Sequence, residues 1–227
     1  MMRTQISLVA TLFFCLVQLA GASENPSGHL EQRLIDQGLV NIHSLASDIL
    51  VELKYSSPDN FLGRDMYGDL TSCYLQPKAA KMLKEAQRLL KRTHPELTLL
   101  VYDGARPRSV QRNMWALVVN TPSQGYVANP ERGSVHNYGS AIDLTLATQA
   151  GTPLDMGTPY DYFGKLAQPR FEDDFLAQQA LTKEQVQNRR LLRRVMTTAG
   201  FQSISNEWWH FNAVPVKIAR STYTIIE

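Results

Sequence analysis

Cysteine use sets the first limit on what this chain can fold into. The 227 residues hold two cysteines, Cys15 and Cys73, and Cys15 falls within an apolar leader. Residues 1–22 have the layout of a cleaved export signal: the positive start MMR, the apolar run ISLVATLFFCLVQLA, and the small residues Ala20, Gly21 and Ala22 before the cut. The run is shorter than the ~20 residues a spanning helix needs, so it reads as a signal and not an anchor. Phe14 stands where a lipid-attachment signal at Cys15 would want a small residue. Once the leader is removed, Cys73 has no intramolecular partner and no disulfide can staple the chain. The mature protein, expected as one domain over 23–227, must therefore be held by a buried apolar core, and its length is enough to build one. Export without disulfides fits a bacterial periplasm or an extracellular bacterial protein better than a small secreted eukaryotic scaffold, and the periplasm is the expected location.

Charge excludes some partners. The formal balance of +2 falls to +1 when Arg3 leaves with the leader, so nothing draws the protein electrostatically to nucleic acid or to a membrane surface. No repeat, low-complexity tract or charge block marks a linker. Residues 46–55 alternate Ile49, Val51, Leu53 and Tyr55 with polar neighbours and predict a half-buried strand. A helix is expected from Pro77, with Ala79, Met82, Leu83, Ala86, Leu89 and Leu90 on one face and Pro95 beyond its end. LTLLVYD, residues 97–103, reads as a buried strand, and a second helix should start near Pro107. In SAIDLTL, Ile142, Leu144 and Leu146 share one face and Ala141, Asp143 and Thr145 the other. Thr182 and Gln185 stand in capping-box spacing ahead of Leu192, Val195, Met196 and Ala199, and Gly200 stops that helix. FQSISNEWWHF resembles an aromatic strand. Helices and strands interleave, yet the connections near the end are short, so the expected fold class is α+β: a small, mostly antiparallel sheet with helices packed on it.

Five histidines are candidates for chemistry, and His29, His43 and His94 sit in polar or connecting segments that suit solvated roles. His136 keeps company with Asp143, and His210 with Glu207. Two neutral imidazoles and one carboxylate can hold Zn²⁺ and leave its fourth tetrahedral position to water. A further carboxylate must then move the proton of the attacking water, and Glu207 is the candidate. Glu207 precedes His210 by three, which on a flat strand would put the two side chains on opposite faces. They converge only if Glu207 lies at a turn, a bulge or a twisted approach to the strand. Taken singly, each residue also admits a plain role: a packed histidine, an aspartate capping a turn, Arg106 paired only with Asp103, or Trp208 and Trp209 as core.

Together the motifs are more specific. SVHNYGSAIDL (134–144) and EWWH (207–210) resemble the SxHxxGxAxDL and ExWH signatures of zinc D-alanyl-D-alanine dipeptidases of the VanX type. These belong to a wider group of zinc peptidases that includes D,D-carboxypeptidases, lysostaphin-like enzymes and the hedgehog domain. KYSSPDNFLG (54–63), DGARP (103–107), DMGTPYDYF (155–163), NRRLLRRVM (188–196) and GF (200–201) follow in the family's order, so the resemblance covers nearly all of the mature chain. It implies one Zn²⁺ per chain bound by His136, Asp143 and His210, with Glu207 as general base and Arg106 stabilising the oxyanion. It further implies that Asp161 receives the free ammonium of a small D,D-dipeptide, and that Ser134 and Tyr55 line the substrate pocket. The activity implied is hydrolysis of D-alanyl-D-alanine to two D-alanines through a zinc-bound water. The alternatives are a D,D-carboxypeptidase acting on muropeptides, and a noncatalytic zinc-binding module of the hedgehog kind. An export signal departs from the cytoplasmic resistance enzyme of the family and suits the turnover of wall-derived dipeptide.

Overall fold

The protein is described by a computed structural model for residues 26–227, with side chains from Leu30 onward. The leader, its expected cleavage after Ala22 and the side chain of His29 lie outside the described residues. The described residues begin with helix α1 (Pro26–Asp36), the short strands β1 (Val40–Asn41) and β2 (Leu50–Val51), and then β3 (Tyr74–Leu75). Helix α2 (Pro77–Thr93) leads into strand β4 (Leu97–Asp103), helix α3 (Arg108–Val118) and strand β5 (Ala141–Thr148). Helices α4 (Glu172–Ala177) and α5 (Lys183–Thr198) precede the strands β6 (Gln202–Ser203) and β7 (His210–Asn212), and α6 (Val216–Thr222) follows. Among the described residues no helix is long and apolar enough to cross a membrane.

The main sheet has the order β2-β4-β5-β7-β6, while β1 and β3 pair separately. β4, β5, β7 and β6 are antiparallel in succession, but β2 joins β4 in parallel, so the α+β sheet is mostly antiparallel with one parallel edge. Alternation splits the sheet into two unlike faces. Leu99 and Val101 of β4 with Ile142, Leu144 and Leu146 of β5 share one core with Leu83, Ala86 and Leu90 of α2 and Leu192, Val195 and Met196 of α5. Each fully buried leucine, isoleucine, valine or methionine among them stabilises the fold by about 1.5–3 kcal/mol relative to exposure, and Cys73 is buried here as a free thiol. The opposite face carries the smaller cluster of Leu100, Tyr102 and Ala147, joined by Leu50 and Tyr160, and on it Asp143 and Thr145. The helices thus leave one face of β5 free for the site.

A bulge aims β4. Val101 pairs with Leu144, but the next pair is Asp103 with Asp143, so β4 spends one extra residue, Tyr102. Such a bulge re-aims the side chain that follows it, and here it sets Asp103 beside Asp143, which is itself paired with His210. Three polar residues lie in one row across three strands.

The helices follow their sequence signals. α2 begins at Pro77, and the Thr182 and Gln185 side chains each take the other's backbone N–H at the start of α5. Gly200 ends α5 with φ +102°. Pro107 stands one residue ahead of α3 and not inside its first turn. Two strand expectations are corrected. The segment 46–55 pairs only at Leu50–Val51, and Lys54–Ser56 coils into a 3-10 turn. The Tyr55 carbonyl there accepts the N–H groups of Met66 and Tyr67 at 2.8 and 3.1 Å, so its backbone serves the following loop instead of a sheet. FQSISNEWWHF is not one strand either: Gln202 pairs with Asn212 and Ser203 with Phe211, so the segment folds back on itself as a hairpin. Glu207 therefore lies in the connection before β7.

Candidate active site

His136, Asp143 and His210 converge although they come from three local structures. His136 sits in the 3-10 turn Val135–Tyr138, capped by Ser134 and closed by Gly139 in a left-handed conformation at φ +62°. A Cβ on Gly139 would also lie 2.6 Å from Leu39 Cδ2, so that side chain would have to shift in addition to the strain of the left-handed backbone. Asp143 lies on the free face of β5, and His210 opens β7 directly opposite it. Nδ1 of His136 donates to the Gly104 carbonyl at 2.7 Å, which leaves Nε2 with its lone pair. Nε2 of His210 meets the Asn212 side-chain oxygen at 2.9 Å, turning Nδ1 inward. The inward atoms stand close: His210 Nδ1 is 2.9 Å from Asp143 Oδ1 and 3.2 Å from His136 Nε2, and Asp143 Oδ1 is 3.4 Å from His136 Nε2.

Three electron-pair donors gathered at that spacing need a cation between them. Burial opposes charge on Asp143, yet the charges and hydrogen bonds of His136 and His210 hold its carboxyl well below the usual range. Burial likewise works against a charged His210, but Asp143 and Glu207 raise its pKa to about 9. The cluster thus favours a cation between its donors, and a metal ion would compete with protons for that place. The donor set fits a divalent metal, and these residues would hold it.

Arg106 and Glu207 line the same cavity, of about 160 Å³. Asp103 is fully buried and grips Arg106 through Nε at 3.0 Å and through Nη2, while Tyr67 Oη and the Gly104 N–H occupy its other oxygen at 2.6 and 2.9 Å. Arg106 Nη1 donates to Gln111 Oε1 at 3.0 Å. Of the five guanidinium N–H groups, one on each terminal nitrogen is left for a ligand. Burial works against the Arg106 charge, but Asp103 secures it, so the guanidinium stays cationic. The Glu207 carboxylate makes no hydrogen bond among the described residues, and burial raises its pKa above 4.5. A carboxylate in that state is available to take a proton.

Asp161, Tyr55 and Ser134 complete the wall of this cavity. All eight residues singled out in the sequence are thus brought together. Asp161 adopts φ +57°, a conformation costly for a non-glycine residue, and accepts the Tyr55 hydroxyl at 2.9 Å. Burial, and then the charge of Asp143, push its pKa well above 3.8. The Ser134 hydroxyl accepts the His136 N–H at 3.3 Å, so Ser134 shapes the turn as well as the wall. Trp209 is buried in the wall and Trp208 donates to Thr158 Oγ1 at 2.9 Å. Phe61, Phe163 and Tyr126 meet in the wall of the cavity: Phe163 stacks on Tyr126 at 4.2 Å and meets Phe61 edge-on at 4.8 Å. A larger groove of about 750 Å³ runs behind Tyr160 and shares only Phe61 and Asp161 with the smaller cavity, so the chemistry belongs to the smaller one. His43, on the Ile49 carbonyl, and His94, beside Glu96, lie outside the site.

Residues 35–225 match the D-ala-D-ala dipeptidase family of peptidases. The chain belongs to that family. It is 34% identical over 173 residues to the D-alanyl-D-alanine dipeptidase of Escherichia coli K12, covering 76% of this chain and 83% of that protein. It is 29% identical over 197 residues to the protein of the same name from Enterococcus faecalis V583 (79% and 93%), and 30% over 194 residues to that of Enterococcus faecium (77% and 90%). Membership makes the chain a hydrolase of a metallopeptidase family, and the His136–Asp143–His210 cluster is the place where a family member of this sequence could hold its metal. Sequence reasoning leaves the partners of this dipeptidase-family site unnamed: Tyr67 on Asp103, Tyr160 on Asp143 through a 3.0 Å hydrogen bond, and Gln111 on Arg106. Tyr160 lies inside the DMGTPYDYF segment, next to Asp161, and that position is its signal in the sequence.

Proposed function

We propose that this protein is a zinc-dependent dipeptidase that hydrolyses D-alanyl-D-alanine to two D-alanines. One observation carries the reading: the three-donor cluster, a carboxylate without a hydrogen-bond partner, a fixed guanidinium and Asp161 all face one cavity of about 160 Å³. The nitrogen and oxygen donors suit zinc, whose tetrahedral bonds of about 2.0–2.1 Å set neighbouring ligand atoms roughly 3.3 Å apart. His136, Asp143 and His210 would hold the zinc, which would supply Lewis acidity to lower the pKa of a water and polarise a carbonyl oxygen.

The protein's own residues do the rest. Asp161 takes the substrate ammonium and so orients the scissile amide. Glu207 accepts a proton as the water oxygen bonds to the carbonyl carbon. Arg106 donates its spare N–H groups to the oxygen that becomes negative, where a guanidinium held by Asp103 and Gln111 needs no reorganisation. Glu207 then delivers the proton to the amine as the C–N bond breaks. The cavity is well below the ~300–1,000 Å³ usual for drug-sized ligands, which favours a dipeptide over a muropeptide. Glu207 and Arg106 favour an enzyme over a metal module, since binding metal requires neither.

The decisive comparison is D-alanyl-D-alanine against its amino-acetylated form. The reading expects D-alanine from the first and none from the second; equal cleavage of both would replace it with a carboxypeptidase. The leader in residues 1–22 supports export to a bacterial periplasm, where wall turnover releases such dipeptides. A mature N-terminus sequenced at Ser23 in a periplasmic fraction checks this, and full-length protein in the cytoplasm refutes it.

A further inference from the structure

Asp143 has two oxygens, and they have different neighbours. Oδ1 faces the two imidazoles, while Oδ2 accepts the Tyr160 hydroxyl at 3.0 Å. The Tyr160 ring is wedged between Tyr102 at 5.0 Å and Trp209 at 5.4 Å, and meets Tyr55 edge-on at 6.3 Å, so the phenol is held from several sides. Tyr160 lines the 750 Å³ groove and is not among the residues lining the cavity that holds Glu207 and Arg106.

The loop geometry serves the same contact. Tyr160 reaches Asp143 and the next residue, Asp161, reaches Tyr55, although successive side chains of an extended chain point opposite ways. The left-handed backbone at Asp161, φ +57°, lets both turn toward the site. Strain of this kind persists where the surroundings impose it and clusters at functional sites.

We infer that Tyr160 is a positioning residue that occupies Oδ2 of Asp143 and so fixes this carboxylate as a one-oxygen metal ligand through Oδ1. Without the hydroxyl the carboxylate rotates more freely about its terminal bond, and both oxygens compete for the ion. The inference rests on the proposed zinc site and adds to it a residue that acts through Asp143.

Zn²⁺ affinity, measured by competition with a chromophoric chelator, tests it without any assay of turnover. Tyr160→Phe keeps the ring and deletes the donor; Tyr102→Phe deletes a hydroxyl from the same aromatic wall that does not touch Asp143. The expected result is a dissociation constant raised about 10- to 100-fold in Tyr160→Phe, unchanged in Tyr102→Phe, with the metal-free thermal midpoint of Tyr160→Phe equal to the parent's. Parent-like affinity in Tyr160→Phe would overturn the inference, as would an equal loss in Tyr102→Phe or a loss matched by a lowered metal-free midpoint. A parent that binds no Zn²⁺ would overturn the metal site itself, and the role of Tyr160 with it.

Discussion

Arg106 is buried with its guanidinium closed on Asp103 and Gln111, and a lysine there could not bridge both partners and still face a ligand. Arg106→Lys should lower kcat by about 10²- to 10³-fold with the metal retained; steady-state kinetics beside metal analysis will check this, and a change confined to KM would contradict it. Asp161 makes the complementary case. Its ionised form is needed to hold an ammonium, and burial raises its pKa well above 3.8. As pH falls through that raised value the charge is lost, so KM for free dipeptide should climb at a higher pH than an ordinary aspartate would give. Asp161→Asn should show a raised KM without that climb, read from KM against pH. At this scale the meeting of His136, Asp143, His210, Glu207, Arg106 and Asp161 at one cavity is legible in the sequence because the motifs carry them as a set. The hydroxyls of Tyr67 and Tyr160 are not, because a tyrosine's hydrogen-bond partner depends on loops that have no periodicity to read.

Local elements decide whether those residues meet. The Tyr102 bulge and the hairpin between Ser203 and His210 have no signature in period-2 alternation, which is why the approach of Glu207 to its cluster stays unresolved until the pairing of β6 with β7 is seen. Helices α2 and α5 are legible because a 3.6-residue stripe and a capping box are strong local signals. The turn that carries His136 is closed by Gly139 at φ +62° with Leu39 close by. Gly139→Ala should therefore cost at least about 1–2 kcal/mol, a fall in midpoint of several degrees in a thermal melt, and an unchanged melt would refute that reading. The loop bearing Tyr160 and Asp161 is tied to α5 through Asp155, whose carboxylate accepts from Gln185 Nε2 and the Gly157 N–H, each at 2.8 Å. Those bonds, that from Gln185 foremost, hold its pKa below 3.8. A pKa depressed by folding contributes stability above the unfolded value, and the contribution is lost as pH falls through the folded one. Asp155→Asn should thus be less stable than the parent at neutral pH, with the gap closing below pH ~3.8 in an acid-unfolding series; a constant gap would show that the charge is irrelevant.

As a whole molecule the protein divides its labour between two faces of one sheet, helices and apolar core on one side, a polar cavity on the other. That division is legible from Ile142, Leu144 and Leu146 alternating with Asp143 and Thr145, whereas the parallel β2 edge is not, because two paired residues leave too little pattern. A cluster of three donors that could hold a metal ion should be stabilised by filling it. Zinc at a hundredfold excess over its dissociation constant should add about 2.7 kcal/mol, roughly 5–10 °C in midpoint at this size, and a chelator should reverse the gain; a zinc-independent melt would argue against a metal site. The most direct measurement of all is D-alanine release from D-alanyl-D-alanine by the zinc-loaded parent and by Glu207→Gln, with zinc content determined in both. The account predicts turnover by the parent and a loss of about 10²- to 10⁴-fold in the variant at equal zinc content, whereas parent-like turnover by Glu207→Gln, or no D-alanine from the zinc-loaded parent, would contradict it.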